Sequence, residues 1–144
     1  MKEVFLANGL GKRAFISDRR FAEINQYKWH LDVSSSGTCY ARTTLLHGGG
    51  SLYMHQIILK DVPRPIGPDG LPDFTAEGDH IDRNGLNNVD ENLRWVTHEQ
   101  NTWNRNKSGN NTSGYVGVHF ESTARAGAPW RYKITCRGQT IRKG

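Results

Sequence analysis

Cysteine is scarce in this sequence, and long hydrophobic runs are missing. Cys39 and Cys136 are the two cysteines among 144 residues, and no Cys-x-x-Cys pair occurs. A four-cysteine zinc site is therefore excluded, and a disulfide framework is not expected. The longest apolar run is far shorter than the ~20 residues that a membrane-spanning helix needs, and we expect no signal peptide. We therefore expect a cytoplasmic protein that has no membrane partner.

Acidic residues are almost missing from the last third of the chain. Glu121 is the sole acid from 101 to 144, which gives that segment a net charge of +7, whereas the first 100 residues carry −2. Such an asymmetry indicates a polyanionic partner, nucleic acid first, although a solvated basic face is the alternative. The eight basic residues of the segment are Arg105, Lys107, Arg125, Arg131, Lys133, Arg137, Arg142 and Lys143.

Proline is rare outside one stretch, "DVPRPIGPDGLPDF" (61–74), which holds four of the five prolines. This stretch is too broken to be a helix or an inner strand, and we expect a loop. Before it, the sequence predicts a short helix that Asp18 caps and a strand that turns helical within 51–59. Further strands are predicted over 12–18, 28–33 and 38–46. Behind it, "SGNNTSG" (108–114) has the composition of a flexible linker.

The stretch between loop and linker has the order strand, turn, strand, helix. "GDHID" (78–82) is a short strand, "RNGLNN" a turn and "ENLRWV" a second strand. Thr97 and Gln100 form a capping box for a helix over 98–107. Asp79 and His80 are neighbours on a strand, so their side chains point to opposite faces.

These polar residues suit phosphodiester hydrolysis. The imidazole of His80 can deprotonate a water molecule, because its ordinary pKa keeps it largely neutral. Asp79 and Asn101, which lies one turn inside the helix, supply the carboxylate and amide oxygens that suffice for magnesium. Asn92 can bond the backbone across the loop and hold His80 in place. Taken singly, each of these residues also suits an ordinary turn, cap or structural role.

Residues 79–105, "DHIDRNGLNNVDENLRWVTHEQNTWNR", resemble the HNH motif of phage and intron-encoded homing endonucleases, within the His-Me finger (ββα-metal) group. The resemblance implies that His80 is the general base and that Asn92 orients the loop. It also implies that Asp79 and Asn101 bind Mg²⁺, for which Mn²⁺ or another divalent metal can substitute. The last position of the motif is Asn101 rather than histidine, a variant that is at home in this family.

The resemblance extends upstream over 15–59, which is similar to the N-terminal part of bacterial and phage HNH proteins. The loop 61–74 is longer than relatives often have. His55 therefore either lines the site or supports it from the core, and the core role is favoured. We interpret His98 as peripheral, with a contact to substrate as its alternative.

The basic end, "NNTSGYVGVHF…WRYKITCRGQTIRKG", resembles the start of the APETALA-type DNA-binding domain. In "WRYKITC", Arg131, Lys133 and Thr135 alternate with bulkier residues, so that one face can meet phosphates and base edges while the other packs. The alternative is an ordinary half-exposed strand with a cationic outer face. The helix of that domain type would begin at Gly144. Another part of the protein covers the sheet, or the module is degenerate or cut short. The predicted DNA contacts are Arg105, Lys107, Arg131, Lys133, Arg137 and Arg142.

The sequence therefore predicts an α+β fold. Its parts are an N-terminal β-rich region (1–60), a proline-rich loop (61–77), a ββα-metal motif (78–107), a linker (108–114) and a three-stranded antiparallel β region (115–144).

The predicted function is site-specific cleavage of double-stranded DNA by a homing-type endonuclease, encoded by a phage or mobile element and acting in a bacterial host. Two alternatives stay open: a catalytically silent DNA-binding regulator on an HNH scaffold, and a less specific restriction or toxin-type nuclease. The target sequence, the choice between nick and double-strand cut, and the choice between monomer and homodimer do not follow from the sequence.

Overall fold

The computed structural model describes residues 1–45, 49–104, 110–120, 130–136 and 139–143. Over these residues the chain is mixed α+β, with short helices and several small sheets. It divides into two compact units, Met1–Asn101 and Thr102–Gly144. Within the described ranges, no helix is long and apolar enough to cross a lipid bilayer.

The first sheet of the larger unit joins distant parts of the sequence. β1 (Lys2–Phe5) and β2 (Arg13–Ile16) pair in antiparallel fashion. β7 (Asn87–Asn88) then pairs with β2 in parallel, so that Ile16 lies opposite Asn88. The loop that follows His80 is thereby attached to the N-terminal part of the chain.

The segment after β2 corrects one prediction. A 3₁₀ turn (Asp18–Arg20) leads into α1 (Phe21–Ile24), and Ser17 rather than Asp18 holds the N-cap position, without a side-chain cap bond. The carboxylate of Asp18 instead lies 2.6 Å from the amino terminus of Met1. The predicted Asp18 cap is therefore wrong, because this carboxylate pairs with a charge from outside the helix.

The second sheet leads directly into a helix. β3 (His30–Val33), β4 (Cys39–Thr44) and β5 (Ser51–Tyr53) pair in antiparallel fashion, and α2 (Met54–Leu59) follows directly. The side-chain oxygen of Gln56 accepts a hydrogen bond from the backbone of Tyr53 at 2.9 Å, which satisfies an amide at the helix start. The predicted change from strand to helix within 51–59 is confirmed.

The hydrophobic core lies around α2. Met54, Ile57 and Ile58 recur at the spacing of one helix face and are buried. They pack in one cluster with Ile16 and Ile24, among others. Each fully buried aliphatic side chain of this kind contributes ~1.5–3 kcal/mol relative to its exposed state. This packing fixes α2 beneath the strands that carry the polar residues.

The third sheet has two strands, β6 (Glu77–His80) and β8 (Leu93–Val96), which pair in antiparallel fashion. A 3₁₀ turn (Asp90–Asn92) precedes β8, and α3 (His98–Trp103) follows it. The predicted capping box is confirmed. Thr97 N donates to Gln100 Oε1 at 3.0 Å, and Gln100 N donates to Thr97 Oγ1 at 3.2 Å. The predicted end of the helix, at 107, lies outside the described residues.

The smaller unit contains a three-stranded antiparallel sheet. β10 (Trp130–Cys136) is central, between β9 (Val118–Phe120) and β11 (Gln139–Lys143). Trp130 lies opposite Phe120, and their rings meet edge to face with centroids 5.3 Å apart. The assignment of this sheet to the APETALA type stays a prediction.

Candidate functional site

β6 approaches α2 closely because it has a glycine at the crossing. A Cβ atom on Gly78 would lie 2.7 Å from Leu59 Cδ1 and 3.2 Å from His55 Cδ2. Leu59 has no solvent-exposed surface, so it has little room to withdraw. Gly78 therefore brings β6, and with it Asp79 and His80, onto the helix.

His80 ends β6 and is buried, with 6% of its surface exposed. Burial lowers the pKa of its imidazole, and the hydrogen bond with Asn88 and the charges of Asp82 and Asp79 oppose that shift without cancelling it. The ring is therefore neutral at neutral pH, which is the protonation state that a general base needs.

Asn88 sets which nitrogen of His80 carries the proton. Its Oδ1 lies 3.2 Å from His80 Nε2, and its Nδ2 donates to the carbonyl of Gly85 at 3.3 Å. An amide oxygen can only accept, so Nε2 must carry the hydrogen, and Nδ1 keeps the lone pair. Asn88 is fully buried. Asn88 does not stand out in the sequence, because consecutive asparagines in a turn look like ordinary loop residues. Its place in a strand opposite Ile16 is a long-range feature.

Asn92 ties together the loop between β6 and β8. Its Oδ1 accepts from the amide of Asp82 at 3.0 Å, and its Nδ2 donates to Asp82 Oδ1 at 2.9 Å and to the carbonyl of Asn87 at 2.7 Å. Partial burial raises the pKa of Asp82, but hydrogen bonds from Asn87, the Asn84 amide and Asn92 outweigh it, so that the pKa is lowered. The Asp82 carboxylate thus stays ionised and accepts hydrogen bonds from several residues of the loop.

In the Asn-Gly pair of this loop, the glycine allows the loop backbone to lie close against β4. The left-handed residue of the turn is Arg83, at φ 65°. A Cβ atom on Gly85 would lie 2.4 Å from the carbonyl oxygen of Cys39 and 2.4 Å from the Tyr40 ring. Glycine is therefore required at position 85 so that the loop can lie against β4.

Asp79 forms an ion pair across the sheet with Arg94. The two residues are directly opposite in the β6–β8 register, and Arg94 Nε and Nη2 both donate to Asp79 Oδ2, at 2.9 Å and 2.8 Å. Asp79 is buried, whereas 44% of the Arg94 side chain is exposed. The buried carboxylate is thereby compensated within the protein.

Asn101 and His98 both contact β6 through Glu77. Asn101 Nδ2 donates to Glu77 Oε2 at 2.6 Å, and His98 Nδ1 lies 2.8 Å from Glu77 Oε1. The hydrogen bond from Asn101, followed by that from His98, lowers the pKa of Glu77. Glu77 and Asp79 alternate onto the same strand face, and His80 points to the other. Asp79 thus lies on the face of β6 to which Asn101, on α3, is bonded through Glu77.

A second histidine supports the ring of His80. His55, on α2, meets it edge to face with ring centroids 5.0 Å apart, and stacks on Tyr53 at 5.6 Å. Burial, with a smaller contribution from the charge of His80, lowers the pKa of His55 to about 3. His55 is thus an uncharged packing partner of His80 at neutral pH.

The turn before β8 is anchored to the N-terminal part of the chain through Asp90. Its Oδ1 lies 2.6 Å from Arg19 Nη2 and 2.9 Å from Arg20 Nε, and its amide donates to Ser17 Oγ at 2.9 Å. Burial alone would raise the pKa of Asp90, but hydrogen bonds from Arg19, Ser17 and Arg20 lower it to about 2. Because Asn92 belongs to the same turn, this anchor also positions the loop.

The smaller unit brings cations together across its sheet. Lys133 lies directly opposite Arg142, and Arg131 lies opposite His119. The strand register places all four side chains on one face. Arg105, Lys107 and Arg137, the other predicted DNA contacts, lie outside the described residues.

The predicted metal ligands, Asp79 and Asn101, offer one carboxylate and one amide oxygen. Among the residues that the structure describes, no group of three or more His, Cys, Asp and Glu side chains could hold a metal. Magnesium needs fewer, because it keeps several waters and accepts one carboxylate with one further oxygen. The Asp79 carboxylate and the Asn101 amide oxygen are donors of that kind, so the residues fit the ion.

The chain is similar to two viral proteins. The chain is 31% identical over 105 residues to an uncharacterized HNH endonuclease of Acanthamoeba polyphaga mimivirus. The aligned region covers 73% of this chain and 50% of that protein. This similarity supports HNH family membership. The chain is also 38% identical over 61 residues to Protein 3.8 of Escherichia phage T7, covering 42% of this chain and 48% of that protein.

The chain spans about half the length of the curated relatives it matches. No family model matches it, and neither does any solved structure.

Proposed function

We propose that this chain is an HNH endonuclease of the homing type, which hydrolyses a phosphodiester bond of double-stranded DNA at a specific site with one divalent cation. The observation that carries the proposal is the arrangement on β6. A neutral, buried His80 occupies one face, while Asp79 and the contact of Asn101 with Glu77 occupy the other. The relative described as an HNH endonuclease supports it.

His80 is the general base of the proposed reaction. Its Nδ1 takes a proton from a water molecule, whose oxygen attacks the phosphorus. The bond between phosphorus and the 3′ oxygen then breaks, and the leaving oxygen takes up a proton from solvent water, which gives a 5′ phosphate and a 3′ hydroxyl. Asn88 holds the Nε2–H tautomer before this step, so that Nδ1 can accept the proton, and Asn92 holds the loop in which Asn88 lies.

Asp79 and Asn101 would hold Mg²⁺, or Mn²⁺ in its place. A divalent cation, when bound, supplies positive charge beside the phosphate and the leaving oxygen. Arg94 contributes to this arrangement by fixing the carboxylate of Asp79 through two bonds to one of its oxygens. It also places a half-exposed guanidinium beside the same carboxylate.

The affinity for DNA comes from basic residues near the end of the chain. Lys133 and Arg142 are exposed on one sheet face, with Arg131 on the same face. Phosphate contacts from such residues give binding that weakens steeply with salt. An APETALA-type role of this sheet, and contacts from Arg105, Lys107 and Arg137, belong to the same proposal.

Cleavage of supercoiled plasmid DNA in the presence of Mg²⁺ tests the enzyme. We expect His80→Ala to cleave at least 100-fold more slowly, since general-base catalysis contributes about 10²–10⁴-fold. His30→Ala, a change at a half-buried histidine on β3, is the matched control. Equal cleavage by His80→Ala and the parent would refute the role of His80 as general base. Undiminished cleavage in excess chelator would refute the need for a divalent cation. One discrete product indicates a homing enzyme, whereas degradation to small fragments indicates a less specific nuclease.

The second candidate is a DNA-binding regulator without catalysis. The observation that favours it is the pair between Asp79 and Arg94, which occupies one oxygen of a predicted metal ligand. Tight, sequence-specific binding with no cleavage in Mg²⁺ or Mn²⁺ would decide for this candidate.

A further inference from the structure

The carboxylate of Glu77 joins β6 to the first turns of α3. One of its oxygens accepts from Asn101 Nδ2 at 2.6 Å, and the other lies 2.8 Å from His98 Nδ1. His98 and Asn101 are three residues apart and therefore share one face of the helix. Glu77 thus holds that face against the strand at two points.

The bond to Glu77 determines how the side-chain amide of Asn101 is turned. An ionised carboxylate only accepts hydrogen bonds, so the NH₂ group of Asn101 must face it. The amide is planar, with its nitrogen and oxygen on opposite sides of one carbon. A rotation that exchanged them would bring Asn101 Oδ1 against the negative charge of Glu77. The carbonyl oxygen is therefore kept on the side away from Glu77.

We propose that Glu77 is a positioning residue that fixes the side-chain amide of Asn101 with its oxygen presented as the cation ligand. The inference rests on the proposed function, in which Asn101 is such a ligand. Glu77 acts through Asn101, since each of its own oxygens already has a partner on α3.

Glu77→Gln tests whether Glu77 acts through its charge and hydrogen bonds or only through the size of its side chain. The new side chain has nearly the same volume, but only one of its two terminal atoms can accept a hydrogen bond. It therefore cannot hold both Asn101 and His98, and it lacks the charge that disfavours the reversed amide. Glu91→Gln makes the same chemical change at an exposed position in the turn before β8 and is the matched control.

Mn²⁺ binding to the whole chain, followed by electron paramagnetic resonance without DNA, tests the inference. Substitution of a residue that orients a metal ligand typically lowers metal affinity about 10–100-fold. We expect a loss in this range for Glu77→Gln, no loss for Glu91→Gln, and a smaller loss for Glu77→Asp, which keeps the carboxylate. Thermal unfolding of the same samples shows whether the fold is retained.

Asn101→Ala distinguishes the possible failures. If Asn101→Ala loses Mn²⁺ affinity and a folded Glu77→Gln does not, the role of Glu77 is overturned while the proposed function stands. If Asn101→Ala binds Mn²⁺ as the parent does, the ligand assignment fails, and the inference fails with it.

A second readout needs no metal. The side-chain NH₂ protons of Asn101 should exchange slowly with solvent in the parent and faster in Glu77→Gln. Equal exchange rates in the two proteins would overturn the positioning role directly.

Discussion

His80 Nε2 and Asn88 Oδ1 lie 3.2 Å apart, and both residues are buried where the loop after β6 meets the N-terminal sheet. The pair resembles the arrangement in enzymes where a second residue fixes the tautomer of a catalytic histidine. The side-chain amide of Asn88 is oriented in turn by the hydrogen bond that its Nδ2 donates to the carbonyl of Gly85. The candidate base is therefore held by a chain of bonds within one loop.

Removal of Asn88 should impair cleavage more than DNA binding. Asn88→Leu leaves His80 Nε2 without its acceptor, so both tautomers become populated. We expect the cleavage rate to fall about 10–100-fold and the free energy of unfolding to fall by about 1–3 kcal/mol. Single-turnover kinetics, with ¹⁵N spectra of the histidine ring, measure both effects. Asn25→Ala, at an exposed position after α1, is the control, and an unchanged His80 tautomer in Asn88→Leu would refute the assignment.

Alanine at position 85 should destabilise the larger unit. Its Cβ atom would overlap with the Cys39 carbonyl and the Tyr40 ring, and such overpacking typically costs about 1–3 kcal/mol. Gly37, at φ 83° with open space around it, is the matched control, because alanine there meets only the backbone penalty of about 1–2 kcal/mol. Urea unfolding compares the two variants. A loss below about 1 kcal/mol for Gly85→Ala contradicts the close approach.

The anchor at Asp90 should make stability depend on pH. Its pKa is about 2 in the folded protein and near 3.9 in an unfolded chain. The ionised carboxylate therefore contributes about 2.6 kcal/mol above about pH 5. That contribution is lost as the pH falls through about 2. We expect Asp90→Asn to lower the free energy of unfolding by about this amount at pH 7, and the difference from the parent to shrink towards pH 2.

Urea titrations at several pH values measure this effect of Asp90→Asn. Asp69→Asn, a change at an exposed carboxylate in the proline-rich loop, is the control. A difference between Asp90→Asn and the parent that stays constant from pH 7 to pH 2.5 would show that the ion pairs are not its origin.

The paired cations of the smaller unit should affect folding and binding in opposite directions. Lys133 and Arg142 lie directly opposite each other, and like charges in this position destabilise a sheet by a few tenths of a kcal/mol. Lys133→Gln should therefore stabilise the sheet slightly. It should also weaken DNA binding at every sequence and reduce the slope of log K against log salt by about one. Fluorescence anisotropy over a salt series checks the binding, and an unchanged slope excludes a phosphate contact.

The local parts of this fold could be predicted from the sequence. The Thr97–Gln100 capping box depends on residues three positions apart, and the change from strand to helix at Tyr53 follows from a hydrophobic pattern within nine residues. Both are confirmed because such interactions form within one segment. The alternation that placed Asp79 and His80 on opposite faces is likewise a property of one strand.

The long-range parts could not be predicted in the same way. β7 has two residues, and its pairing with β2 depends on Ile16, far away in the sequence. The burial of Asn88 and the ion pair between Asp79 and Arg94 depend on which strands become neighbours and in which register. Asp18 had the sequence of a cap but pairs with the amino terminus. In each case a tertiary contact overrides or completes the local pattern.

The pairing of β2 with β7 also has a consequence for the order of folding. The segment from β6 to α3 is continuous in sequence and can form early, since short loops close quickly. Asn88 reaches its buried position only when Ile16 is beside it, which requires contact between opposite ends of the first unit. During synthesis β2 leaves the ribosome before β7, and it stays without this strand partner until β7 has been made. We infer that Asp79 and His80 are on their strand before Asn88 is in place, so that the hydrogen bond between Asn88 and the His80 imidazole forms late in folding.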